Sequence, residues 1–210
     1  MGEYMGFGYL FIGYLFMFSF PYRGLDIFPD IIGFIIAFIG IRTLSEYGCG
    51  FDNLKRFFSL LIPSSFITLA IQILRLLNID LSFIEIWETA YTAIILVYNI
   101  MLLVAIYRIG KDTGVGIIYA KAQRNLVLCL MYYAIILFFS FPSTLTEKLE
   151  VYLATKFSFG LVMYIFGYVW LILNASLIYS CYMWICQIGD EDMPEKESKF
   201  MKLKNKSAEE

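Results

Sequence analysis

The chain has 210 residues, 60% of them hydrophobic and 16% charged, with a formal net charge of −2. A soluble domain is about 45–50% apolar and about 25% charged, so the composition points to a chain that sits in lipid, and so small a net charge argues against nucleic acid as a partner. Histidine is absent, which removes imidazole zinc sites and His-dependent triads. No cofactor or metal is expected, and Cys49, Cys129, Cys181 and Cys186 form no C-x-x-C pair.

About 20 apolar residues carry a helix across a hydrocarbon core. On that template the expected fold is all-α: an integral membrane bundle of six transmembrane helices within residues 1–188, over about 4–20, 28–45, 57–78, 83–107, 122–142 and 157–186, followed by a polar cytosolic tail at 189–210. The apolar runs are continuous rather than alternating, which excludes a β-barrel.

The first span is preceded by Glu3 and no Lys or Arg, and it lacks a small-residue cleavage site, so it is expected to stay as a helix rather than leave as a signal peptide. In the second, Asp30 follows Pro29 in the first turn, where the helix dipole favours a carboxylate and the missing proline N–H costs nothing. Gly33, Ala37 and Gly40 continue that face and permit close approach of a neighbour. In the third, Ser65, Thr68, Gln72 and Arg75 fall within about 80° of one another; in the fourth, Glu85, Glu88, Thr92 and Asn99 fall within about 60°. The fifth ends in Phe139-Ser-Phe-Pro142, an echo of Phe18-Ser-Phe-Pro21. Beyond it, Thr144-x-x-Glu147 reads as a capping box, and Leu145, Leu149 and Leu153 mark an amphipathic surface helix. The sixth span carries Gly160, Gly167, Asn174 and Cys181 at intervals of seven. The tail reads as a solvated, disordered segment, or as one whose Lys196–Lys206 stretch lies on anionic lipid.

Six spans put both termini on one side. That side collects twelve Lys and Arg, and the other only Arg23, Arg75, Lys148 and Lys156, which favours cytosolic termini in a plasma membrane. Asp30, Arg75, Glu85 and Glu88 then share the outer third of the bilayer, with Arg23 and Asp26 close by. Intramembrane ionisable groups are costly and face the interior. Two readings follow: an ion pair from Arg75 to Glu88, Asp30 or Glu85 that holds helices in register, or a cation or proton site centred on Glu88, with Asp30, Gln72, Arg75, Glu85, Thr92 and Asn99 around it.

The stretch Arg23-Gly-Leu-Asp26-Ile-Phe-Pro29-Asp30-Ile-Ile-Gly33, running on to Gly40, resembles a D-x-x-P-D-x-x-G pattern in uncharacterised small multi-pass membrane proteins of Gram-positive, clostridial-type bacteria. The resemblance implies a bacterial plasma membrane and carries no activity. Rhomboid-like Gly-x-Ser-Gly, presenilin-like Gly-x-Gly-Asp and prenyl-protease Glu-Glu-x-x-x-Arg motifs are absent, so no enzyme is expected. The size suits vitamin-uptake substrate-binding subunits, without any diagnostic motif. The expected function is binding or transport of a small cationic or proton-coupled solute at the acidic cluster. The alternative is a structural or regulatory component that binds another membrane protein.

Overall fold

Among the described residues of the computed structural model (6–17, 21–22, 25–26, 30–77, 83–140 and 159–185), the apolar runs become six helices. These are α1 (Gly6–Phe16), α2 (Asp30–Leu44), α3 (Phe51–Leu76), α4 (Ile84–Asp112), α5 (Gly116–Ser140) and α6 (Phe159–Trp184). A short antiparallel ladder of β1 (Pro21–Tyr22) and β2 (Leu25–Asp26) stands between α1 and α2. The Glu3 segment, the 144–156 stretch, the polar tail and most of the Phe-Ser-Phe-Pro echo lie outside the described residues.

The helices α3 to α6 are each long and apolar enough to cross a membrane, consistent with a membrane location. The first two are shorter, with 11 residues in α1 and 15 in α2. At 1.5 Å per residue these reach about 16 and 22 Å, against a hydrocarbon core of about 30 Å. Several boundaries differ from the apolar windows. The third helix starts at Phe51 rather than 57, the fourth runs on to Asp112 rather than 107, and the fifth starts at Gly116 rather than 122. A hydropathy window stops at the first charges, whereas Lys and Arg are good helix formers and let the backbone ladder continue. Pro63 lies inside α3. Nearby Ser64 and Ser65 donate to the carbonyls of Leu61 and Ile62 at 2.8 and 2.7 Å, so both hydroxyls are satisfied within the helix itself.

Each helix packs antiparallel on its chain neighbours, and α6 closes the ring on α1. The α1–α2 seam is backbone on backbone. A Cβ on Gly13 would stand 2.5 Å from the Ala37 nitrogen and 2.6 Å from the Gly33 oxygen, and one on Gly40 would collide with the Gly6 carbonyl. Gly33, Ala37 and Gly40 therefore form the packing stripe expected of them, and Gly6 and Gly13 are its unforeseen counterpart on α1. Two tight turns set the alternation. Gly48, Cys49 and Gly50 all have positive φ, at 71°, 51° and 99°, reversing the chain between α2 and α3. After α4, Gly114 (φ 71°) sends its N–H to the Lys111 carbonyl, and Val115 sends its own to that of Gly110. This is a Schellman close, the ending that favours glycine just past a helix.

Alternation places the start of α1 and the end of α6 at the same end of the bundle as these two turns. Phe34, Phe58 and Tyr98 meet edge-to-face in the core, with centroids 5.7–6.3 Å apart. The outward faces are apolar: Ile32, Ile35 and Ile39 on α2, Phe66 and Ile67 on α3, and Leu161, Val162 and Ile165 on α6 are all exposed.

Candidate functional site

The polar stripe of α3 faces α4. Trp87 Nε1 donates to Thr68 Oγ1 at 3.0 Å, and eleven ångströms or so further along the helix Arg75 Nη2 meets Glu88 Oε1 at 2.7 Å. The expected pair between Arg75 and a carboxylate is therefore formed, with Glu88 as the partner. It is not buried: the two side chains are 49% and 50% exposed. Gln72 is half-buried on the same seam. Thr92 returns its hydroxyl proton to the Glu88 carbonyl at 2.8 Å, closing a bond within its own helix. The Glu85 side chain lies outside the described residues.

Asp30 does not join Arg75. Its Oδ2 accepts the hydroxyl of Tyr91 at 3.1 Å, and its side chain lines a cavity of ≈170 Å³ between α1, α2, α4, α5 and α6. The walls are mainly aromatic: Tyr14, Phe34, Tyr98, Tyr132, Tyr133 and Trp170. Asp30 and Asn99 are the strongly polar members, and no Lys or Arg is among the lining residues described. Asn99 is 3% exposed. Its Nδ2 donates to the Ile95 carbonyl at 2.9 Å and to the Tyr133 hydroxyl at 3.2 Å. Its Oδ1 and the neighbouring Tyr98 hydroxyl are buried with no hydrogen-bond partner among the described residues. An unpaired buried acceptor costs roughly 1–3 kcal/mol, so Asn99 Oδ1 is an unmet acceptor in the cavity wall, and Asp30 is the one carboxylate among the lining residues described. The sequence put Asn99 and Glu88 on one face of a single site. The structure separates them: Glu88 is half-exposed at the α3–α4 seam, and Asn99 is inside the ring.

From the cavity a hydrogen-bonded line runs toward the end that carries the two tight turns. Asn174 Nδ2 donates to the Tyr14 hydroxyl at 3.0 Å. Asn125 Nδ2 donates to Asn174 Oδ1 at 2.9 Å. Arg124 closes the line on Asn125 Oδ1 through Nε and Nη2, at 3.2 and 3.1 Å. Lys121 reaches Ser180 at 3.0 Å one turn further. The line ties α1, α5 and α6 together by side-chain bonds, which replace water as partners for buried amides.

Gly167 lines the cavity too. A Cβ there would stand 2.7 Å from the Tyr132 hydroxyl, so this glycine seats a phenol rather than a backbone. The Gly160 surroundings lie outside the described residues. Cys129 and Cys181 are buried in the core. At the α2–α3 turn the Cys49 thiol donates to Asp112 Oδ2 at 3.3 Å, and its pKa is pushed above the usual thiol value by burial, then by that bond and the carboxylate's charge.

The cavity residues missed in the sequence include Tyr14, Tyr98, Tyr132, Tyr133 and Trp170, and Asn125 of the adjoining hydrogen-bonded line was missed with them. Asn125 carried a usable signal, being an amide in the apolar run of α5. The tyrosines do not stand out among 16 in the chain. Comparison with protein-family models, curated proteins and solved structures yields no match, so the function is argued from the chemistry of the cavity.

Proposed function

We propose that this chain is a six-span plasma-membrane protein with cytosolic termini that binds, as a carrier or receptor, a small organic cation in the cavity beneath Asp30. The observation that carries the reading is the lining: a carboxylate and an unmet amide oxygen set among aromatic faces, with no cationic side chain among the lining residues described. Each of these favours positive charge. The carboxylate does so by Coulomb attraction, the amide oxygen by the negative end of its dipole, and the ring faces by their quadrupoles, worth about 0.5–2 kcal/mol apiece. Size narrows the ligand, since a cavity of about 150 Å³ holds a benzene. In lipid, an intramembrane carboxylate is a functional hypothesis by default. The centre of the site is Asp30 with Asn99, and Glu88 takes the structural role of pairing with Arg75. The reading is of a binding protein, not an enzyme.

The test is a thermal-melt panel on the detergent-solubilised protein, comparing small alkyl- and arylalkylammonium ions with uncharged alcohols of the same shape. The reading expects the ammonium ions to raise the melting temperature and the alcohols to leave it unchanged. Equal shifts from both, or none from either, would count against it. A structural role beside a membrane-protein partner is the second reading. It is favoured by the Arg75–Glu88 pair, which is already complete without a ligand.

A further inference from the structure

A second cavity, of ≈340 Å³, opens between α2 and α3 toward the end of the bundle that holds the tight turns, with Phe38 about 12 Å along α2 from Asp30. It is lined by Phe38, Lys55, Arg56, Phe58, Ser59 and Ile62. We propose that this groove is a binding site for one anionic phospholipid, with the headgroup phosphate on Lys55 and Arg56 and the acyl chain along Phe38 and Ile62, over a floor that the buried Phe58 supplies. The lining is graded with depth as a lipid is. From the start of α3 at Phe51, Lys55 and Arg56 lie about 6–8 Å in, Phe58 about 10 Å and Ile62 about 16 Å. Charge thus stands at the mouth and hydrocarbon below it. A free phosphate would use only the mouth.

The charge is available. Both cations are exposed, and the one ion pair among the described residues is that of Arg75 with Glu88. Among the described residues Lys55 reaches only the Ser45 hydroxyl, at 3.4 Å. Ser59 gives its proton to the Arg56 carbonyl at 2.8 Å, so phosphate recognition falls to the two cations. Asp52 lies one turn before them and is not part of the lining. Basic pockets between helices at the cytosolic surface are a recurrent mode of anionic headgroup binding. The site is independent of the cation cavity: it shares no residue with it.

Native mass spectrometry of the full chain, released from detergent after addition of equal phosphatidylglycerol and phosphatidylcholine of matched acyl chains, tests the proposal. The wild type should retain phosphatidylglycerol preferentially. Lys55→Gln and Arg56→Gln should each reduce that preference about fivefold, the equivalent of about 1 kcal/mol per cation at a membrane surface. Arg42→Gln with Lys111→Gln removes two charges from the same end and should leave the preference unchanged. Phe38→Trp narrows the acyl part of the groove and should lower retention with both cations intact. The proposal is overturned by equal retention of the two lipids, by a preference that survives loss of both Lys55 and Arg56, or by a control variant that loses as much. It is equally overturned if inorganic phosphate displaces the lipid completely at millimolar concentration, since the anion alone would then account for binding.

Discussion

Two neighbouring tyrosine hydroxyls in the core make opposite demands. The Tyr14 hydroxyl accepts from Asn174 Nδ2, so Tyr14→Phe strands a buried donor, which in membrane bundles costs about 0.5–2 kcal/mol. The Tyr98 hydroxyl has no partner among the described residues, so Tyr98→Phe removes a polar group that gains nothing from folding. Thermal melts of the ligand-free protein should show Tyr14→Phe destabilised and Tyr98→Phe unchanged or higher; equal losses would mean that the Tyr98 hydroxyl is satisfied. Burial divides the polar residues of these helices in a way that charge does not. Glu88, an ionised group in an apolar run, stands out in a sequence but lies half-exposed beside Arg75. Asn125 draws less notice because it is neutral, yet it is buried, as is Asn99. Which way a half-turn of helix faces depends on neighbours that no local pattern specifies.

At the level of helices, the stripe Gly33, Ala37 and Gly40 was legible because small residues at helical spacing have one common use, close approach. What could not be read was the partner, because Gly6 and Gly13 on α1 are no more conspicuous than other glycines in a chain with 15. Their contacts give a graded expectation. An added methyl at Gly13 or Gly40 meets backbone of the opposite helix, which cannot move without separating α1 from α2, whereas one at Gly167 meets the tip of Tyr132. Overpacking of a tight core costs about 1–3 kcal/mol. Gly13→Ala and Gly40→Ala should fall at the upper end of that range and Gly167→Ala well below it, as read by denaturation in mild detergent. A uniform loss across the three would contradict backbone contact as the cause. Helix ends were the least legible feature, since charges mark where lipid contact stops and not where hydrogen bonding stops; Gly114, a residue with φ 71°, is what ends α4.

For the whole molecule, the six helices of the described residues and their alternation followed from apolar run lengths, while the closure of α6 on α1 and the cavity inside the ring did not. Those depend on contacts such as Asn174 with Tyr14, 160 residues apart. The excess of Lys and Arg at the end with the tight turns gives the orientation its testable form. Cysteines introduced at Thr113 and in the 143–156 stretch should differ in reactivity toward a membrane-impermeant maleimide in intact cells, with the second labelled and the first protected; the reverse pattern would invert the protein and place Asp30 on the cytosolic side. The claim that matters most is that the cation site is the cavity and not the ion pair. Ligand-induced thermal stabilisation by the best ammonium ion, measured in parallel on Asp30→Asn and Glu88→Gln, separates the two. Asparagine at 30 can still accept the Tyr91 hydroxyl but has no charge, so stabilisation by the cation should vanish there, while Glu88→Gln should lower the starting melting temperature slightly and keep the shift. Loss of the shift in Glu88→Gln with its retention in Asp30→Asn would contradict the account.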